Sequence, residues 1–251
     1  MALSWSARRQ LLYYVVASVL ATVILFVGYQ TFLTTDPTCR DGRQNGGELG
    51  VDCGGACSRV CEDQSKPLAL SWARAFPAAS PLYTLAAYIQ NPNVGAGAKG
   101  VRYSFRIFDD KNSLVVERQG VADIPPLQTV PILETNVDVG NRTVTRTLFE
   151  FTSEPTWGKV SAEALPPLRI TEQVLTADGS RLTAEVMNDS LKEVRDISVV
   201  AVVFDQSGVA RAASKTVIDR IAAQSSEPII FTWAAGFEGV ARAEITLLPS
   251  F

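Results

Sequence analysis

Four cysteines and a run of oxygen donors share one short stretch, PTCRDGRQNGGELGVDCGGACSRVC, in which Asp41, Asn45, Glu48 and Asp52 lie among Cys39, Cys53, Cys57 and Cys61. Carboxylates and an amide carbonyl broken up by glycines are the chemistry of a hard cation such as calcium. Counted from Asp41 as the first position of a calcium loop, Asn45 falls at the fifth, Gly46 at the sixth and Asp52 at the twelfth. The third position is Arg43, and an Asp replaces the usual bidentate Glu, so the site is EF-like in ligand chemistry only. The cysteine spacing C-x13-C-x3-C-x3-C lacks the C-x2-C knuckles of a zinc site. Two disulfides are therefore expected, in any of three pairings; joining Cys39 to Cys53 or to Cys57 would constrain the Gly-rich loop most.

Other candidate groups are scattered. The chain has no histidine, which excludes Ser-His-Asp and Cys-His nucleophile systems and histidine metal centres. Six lysines, Lys66, Lys99, Lys111, Lys159, Lys192 and Lys215, could in principle activate a serine, but no S-x-x-K or G-x-S-x-G motif accompanies them. Asp109, Asp110 and Asp205 each sit where a hairpin turn uses an Asp to bind its own backbone. Asn141-Arg142-Thr143 and Asn188-Asp189-Ser190 match the glycosylation triplet; because Asn188 recurs as Asn91 without a triplet, a strand-end turn role is expected. Of Trp72, Trp157 and Trp233, Trp157 is the best placed to be an exposed binding aromatic, with burial as the general expectation. With 23 basic against 26 acidic residues and net charge -3, the chain has no basic field for nucleic acid.

The elements that position these groups begin with an apolar run. From Gln10 to Thr35 there is no charged residue, and Leu11 to Leu33 is long enough as a helix to cross a bilayer core of about 30 Å. Arg8 and Arg9 precede it and Asp36 follows, so the positive-inside rule places Met1 in the cytoplasm and the rest outside, an oxidising setting that suits disulfides. The apolar run exceeds that of a cleaved signal peptide and lacks a small-x-small site.

Beyond the cysteines the chain repeats itself. LAAYIQN (Leu85–Asn91) matches LTAEVMN (Leu182–Asn188), YSFRIFD ending at Asp109 matches VVAVVFD ending at Asp205, and PILET (Pro131–Thr135) matches PIIFT (Pro228–Thr232). Ordered matches at one nearly constant offset imply two related domains. Period-two alternation over Val101–Phe108, and turns at Asp109–Ser113, Ala177–Ser180 and Asp205–Gly208, predict antiparallel strands. The expected fold is all-β: two tandem Ig-like antiparallel β-sandwiches after one N-terminal transmembrane helix and a disulfide-rich neck. The expected order is a cytoplasmic tail (1–10), the transmembrane helix (11–33), the Cys-rich neck (36–63), the first sandwich (66–153), a proline-bearing, semi-rigid linker (154–166) and the second sandwich (167–251).

F-R-I-F-D (Phe105–Asp109) and its echo A-V-V-F-D (Ala201–Asp205) resemble the FxLYD-type Ig-like domains of prokaryotic envelope proteins. The second copy departs from that pattern at Ala201. The neck resembles the short Cys-rich, Asp/Asn/Gly repeats of bacterial surface proteins, several of which are thought to bind calcium. The resemblance implies binding or spacer modules and transfers no catalytic residue. The expectation is a non-catalytic, single-pass protein of the cell membrane that presents both sandwiches outside to an envelope protein or polymer. A structural subunit of a multiprotein envelope machine is the alternative, and an envelope enzyme is third.

Overall fold

A computed structural model describes residues 5–29, 38–233, 236–237 and 239–251. The chain divides into two compact units, Met1–Cys57 and Ser58–Phe251.

In the first unit, α1 (Trp5–Gly28) has no buried residue and is long and apolar enough to cross a membrane. Its 24 residues give about 36 Å at 1.5 Å per residue. It starts at Trp5 rather than Leu11, since the helix-favouring Arg8 and Arg9 extend it past the apolar run. The expected end of that run and Asp36 fall within residues 30–37, outside the described residues. The neck that follows has turns and one bridge, Gly50 to Cys53, in place of regular structure. Glycine is required at Gly55, whose φ is 52° and where a Cβ would sit 1.9 Å from the Gly47 carbonyl oxygen.

The second unit is built of antiparallel strands. β1 (Ala69–Pro77), β2 (Leu82–Asn91) and β5 (Gln128–Asp138) form one sheet in the order β1-β2-β5. The sheet β4-β3-β6 faces it, made of β3 (Ala96–Asp109), β4 (Leu114–Ile124) and β6 (Val144–Phe151), with β7 (Trp157–Lys159) added beside the start of β3. The order recurs in the second copy. There β8 (Leu168–Leu175), β9 (Arg181–Asn188) and β12 (Ser226–Thr232) give β12-β9-β8, while β10 (Val194–Asp205), β11 (Ala210–Ile221) and β13 (Val240–Leu248) give β11-β10-β13. These are two Ig-like sandwiches of like topology.

The repeat seen in sequence becomes a repeat of core positions. Leu85, Ala87 and Ile89 in β2 and Leu182, Ala184 and Val186 in β9 are all buried, as are Ile124 and Ile221. In β3 the buried Val101, Tyr103, Phe105 and Ile107 alternate with Arg102 and Arg106, as a strand covered on one face should.

Two features depart from the expected layout. The segment expected as a linker contains β7, and Trp157 is 5% exposed within the first core, which agrees with the burial expected for the tryptophans and sets aside the alternative of an exposed binding aromatic. The sandwiches are also packed together rather than merely strung along a semi-rigid connection. A third apolar cluster joins Phe76 and Ala86 of the first to Val200, Val202, Phe204 and Ala213 of the second. Residues expected to belong to the neck also join the first sandwich: the Val60 N–H donates to the Trp157 carbonyl and the Lys159 N–H to the Ser58 carbonyl.

Candidate functional site

In the neck, Cys39 is bridged to Cys57, closing a loop with a sequence separation of 18. No cysteine is free, and Cys53 and Cys61 are disulfide-bonded as well. Oxidised sulfur is a poor metal ligand, so the one close grouping of ligand-type side chains among the described residues, Cys39, Glu48 and Cys57, is not a thiolate site.

The four expected cation ligands are engaged with the loop itself. Asp41 accepts the Arg43 N–H at 2.9 Å through Oδ1 and the Asn45 side-chain amide at 2.8 Å through Oδ2. That amide, with the N–H groups of Arg43 and Thr38, holds the Asp41 carboxyl below the ordinary carboxylate range. Glu48 Oε2 accepts the N–H groups of Asn45 and Asp52 at 3.3 and 3.2 Å. Both Asp52 oxygens face the Gly42 N–H, at 3.2 and 3.0 Å. The structure thus joins Asn45 to Asp41 and to Glu48, and sets Asp52 against Gly42. The three carboxylates do not form one ligand cluster. Asn45 Oδ1 is enclosed without a hydrogen-bond partner, and Glu48 Oε1 faces the Cys57 sulfur at 3.1 Å rather than a loop N–H, so these are the two oxygens among the four side chains that a cation could engage without displacing a loop N–H.

The carboxylates at the hairpins serve turns in both copies. Asp109 Oδ1 accepts from the Lys111 and Ser113 N–H groups at 3.0 and 2.8 Å. Asp205 Oδ1 does the same with Ser207 and Val209, both at 2.9 Å, and its Oδ2 takes the Arg211 guanidinium at 2.7 Å. The Val209 N–H and then the Arg211 charge hold the Asp205 carboxyl below its ordinary range. Asn91 and Asn188, 1% and 0% exposed, are strand-end clamps. The Asn91 amide donates to the Ala96 and Pro125 carbonyls at 3.0 and 2.7 Å. That of Asn188 donates to Lys192 and Ala222 at 2.8 and 3.0 Å. A buried, fully bonded amide is not a glycan acceptor, which settles the turn role expected for Asn188.

No family model matches the chain, and no curated protein does. Among solved structures, the crystal structure of red sea bream transglutaminase is similar over 73% of this chain and 29% of that one, at 12% identity and a TM-score of 0.24. A likeness that weak carries no argument about activity.

The junction of the two sandwiches went unread in the sequence. Trp72 stacks on Tyr88 with ring centroids 4.9 Å apart, and Tyr88 meets Phe204 edge-on at 6.2 Å. The Tyr88 hydroxyl donates to Glu244 at 2.8 Å, Arg242 donates to the same carboxylate at 3.1 Å, and the Arg242 guanidinium lies 4.5 Å above the Phe204 ring. Burial first, then the hydrogen bond to Glu244, pushes the Tyr88 phenol well above its usual range, so the hydroxyl stays protonated and donates. Beside this junction lies a cleft of about 380 Å³ whose lining includes Asp123, Leu133, Asp196, Val200 and Lys215. Of these, Asp123 is held by the Gly100 N–H at 2.8 Å. The sequence did carry a signal: VVAVVF (Val199–Phe204) is apolar at every position, the pattern of a strand covered on both faces.

Proposed function

We propose that this is a membrane-anchored, extracytoplasmic binding or scaffold protein that works without catalysis, presenting its paired Ig-like sandwiches to a protein or an envelope polymer. The shared apolar core at the junction carries this reading, because fusing two sandwiches makes a platform, which suits presentation. The apolar helix α1 supports the anchoring, and the asymmetry of charge around it supports an N-terminus in the cytoplasm. That the candidate carboxylates and amides are taken up by turns and clamps supports a non-catalytic role. The FxLYD-type kinship belongs to the same reading: Phe105 and Ile107 fill the core and Asp109 closes the hairpin.

The test is crosslinking of the full chain in cells, with mass spectrometry of what is captured. Recovery of one surface-exposed protein or of wall polymer, attached through the sandwiches, is the expected result. Fixed-ratio capture of several membrane proteins would move the reading to a subunit of an envelope machine. Crosslinks from the sandwiches to cytoplasmic proteins would overturn the orientation.

A further inference from the structure

The strand registers define an equivalence between the two sandwiches that leaves two faces open. At the junction the outer face of β1-β2-β5 lies against the outer face of β11-β10-β13. The equivalent faces with no sandwich against them are that of β4-β3-β6 in the first copy and that of β12-β9-β8 in the second. Tyr88 pairs with Trp72 and Pro131, and Glu185 pairs with Thr171 and Pro228, so Glu185 stands where Tyr88 stands in the first copy. Likewise Phe204 pairs with Arg242 and Val202 with Glu244, while Phe108 pairs with Arg146 and Arg106 with Leu148.

The substitutions between these equivalent faces compensate one another. Arg146 lies 4.5 Å over Phe108, as Arg242 lies over Phe204. The carboxylate that Arg242 uses, Glu244, is replaced by Leu148 on the open face, and among the described residues Arg146 has no ion pair. On the other open face the phenol that reaches Glu244 is replaced by a carboxylate, Glu185, also without an ion pair among the described residues. Superposing the internal junction on the two open faces brings Glu185 to the Phe108–Arg146 corner and supplies the missing acid. Val200 and Val202 are replaced by Ser104, which is buried and donates to Glu117 at 2.8 Å, and by Arg106, which pairs with Glu150 at 2.8 Å, and Ala86 is replaced by Thr183, so the open faces are polar where the internal junction is apolar. Ile230 and Leu148, 54% and 40% exposed, remain as apolar contacts.

We infer that the β4-β3-β6 face is a docking surface for a second copy of this chain, which contributes its β12-β9-β8 face with Glu185 against Arg146. The contact is heterologous, so it propagates head to tail instead of closing as a symmetric dimer. Its polar make-up keeps it weaker than the internal junction and sensitive to salt. Confinement of the copies to one membrane would raise their effective concentration. The inference stands apart from the proposed function, since the equivalence rests on strand register alone.

The test is sedimentation of the full chain in detergent over a range of concentrations, at low and high salt. The expected result is a concentration-dependent series of oligomers that shrinks with salt. Arg146→Glu and Glu185→Arg should each weaken association about two- to fivefold, the range for an exposed ion pair, and the double variant should restore it. A second set of substitutions copies the internal junction onto the open faces: Ser104→Val with Arg106→Val, and Thr183→Ala with Glu185→Tyr. This set should tighten association and give long oligomers. A monomer at every concentration, a closed dimer, a double charge swap without rescue, or no tightening in the junction-like variant would each overturn the inference.

Discussion

Phe204→Ala is the most informative single perturbation of this fold. The ring is 4% exposed yet belongs to the cluster between the sandwiches, packed with Phe76, Ala86 and Val202, and not to either internal core. Truncating a buried Phe costs about 3–5 kcal/mol in lost transfer energy and residual cavity. The Arg242 stacking over the ring and the edge contact from Tyr88 go with it. Because that loss falls on the junction, it should separate two unfolding events that the native chain undergoes together. Differential scanning calorimetry of the full chain in detergent should show one β-sheet transition for the native protein. In the variant it should split, with one component lowered by about 6–20 °C, taking about 2–4 °C per kcal/mol for a chain of this size. Tyr88→Phe is the graded control. It removes only the hydroxyl bond to Glu244, which keeps Arg242, so a loss of about 0.5–1.5 kcal/mol with one transition is expected. A Phe204→Ala protein that melts in one step with a shift under about 2 °C would refute the claim that the junction couples the sandwiches.

The other predictions follow from single contacts. Asn188→Ala should lower stability by about 1–3 kcal/mol in urea unfolding by leaving buried carbonyls without their donor, and Asn188→Asp should not rescue it, since a carboxylate cannot donate to Lys192 and Ala222. Burial, then hydrogen bonds to Glu244 and Glu134, raise the Tyr88 and Tyr103 phenols far above the ordinary phenol value of about 10. Their contribution is therefore full below about pH 10 and lost as pH climbs beyond it, so Tyr103→Phe should flatten the alkaline limb of a stability profile. Asp205 has the opposite sign. Its lowered value gives a contribution present above the ordinary aspartate value of about 3.9 and lost as pH falls, and Asp205→Asn should flatten the acid limb. In the neck, reductant should open the Cys39–Cys57 loop and free the backbone around Arg40 and Arg43, whose side chains are already exposed, so that trypsin cleaves there. EDTA alone should leave cleavage unchanged, because the acids are held by loop N–H groups; EDTA-induced cleavage would show that an ion holds the loop.

Much of this architecture was legible in the sequence because it is written in local periodicity. The alternation around Phe105 and the Asp at each hairpin are short-range signals, and both sit in the structure where the pattern places them. The repeat was legible because duplicated strands keep their core positions. The segment around Trp157 was read as a linker because prolines lie on either side of it, whereas it forms β7 by pairing with Ala98, far away along the chain. The cysteine pairing was open for the same reason: spacing bounds loop lengths, but choosing Cys57 over Cys53 for Cys39 takes three-dimensional proximity. The neck acids had the right elements for a cation, but sequence does not say whether a carboxylate faces an ion or the amide two residues on.

The contrast between β3 and β10 shows how little separates a terminal module from an internal one. Both strands fill a core with one face and end in an Asp that ties off a hairpin. They differ on the other face, where Arg102, Ser104 and Arg106 stand in place of Ser198, Val200 and Val202. Phe108 and Phe204 are retained at its end, each with an arginine above it. A face remade for plain solvent exposure would not need that aromatic corner, since an arginine over a ring half-covers an apolar group that could have been replaced outright. Keeping the corner while removing the carboxylate beside it leaves a site short of one negative charge. That charge appears on the equivalent open face of the second sandwich, at the position Tyr88 holds in the internal junction, so the two ends of the pair differ from the middle in complementary ways.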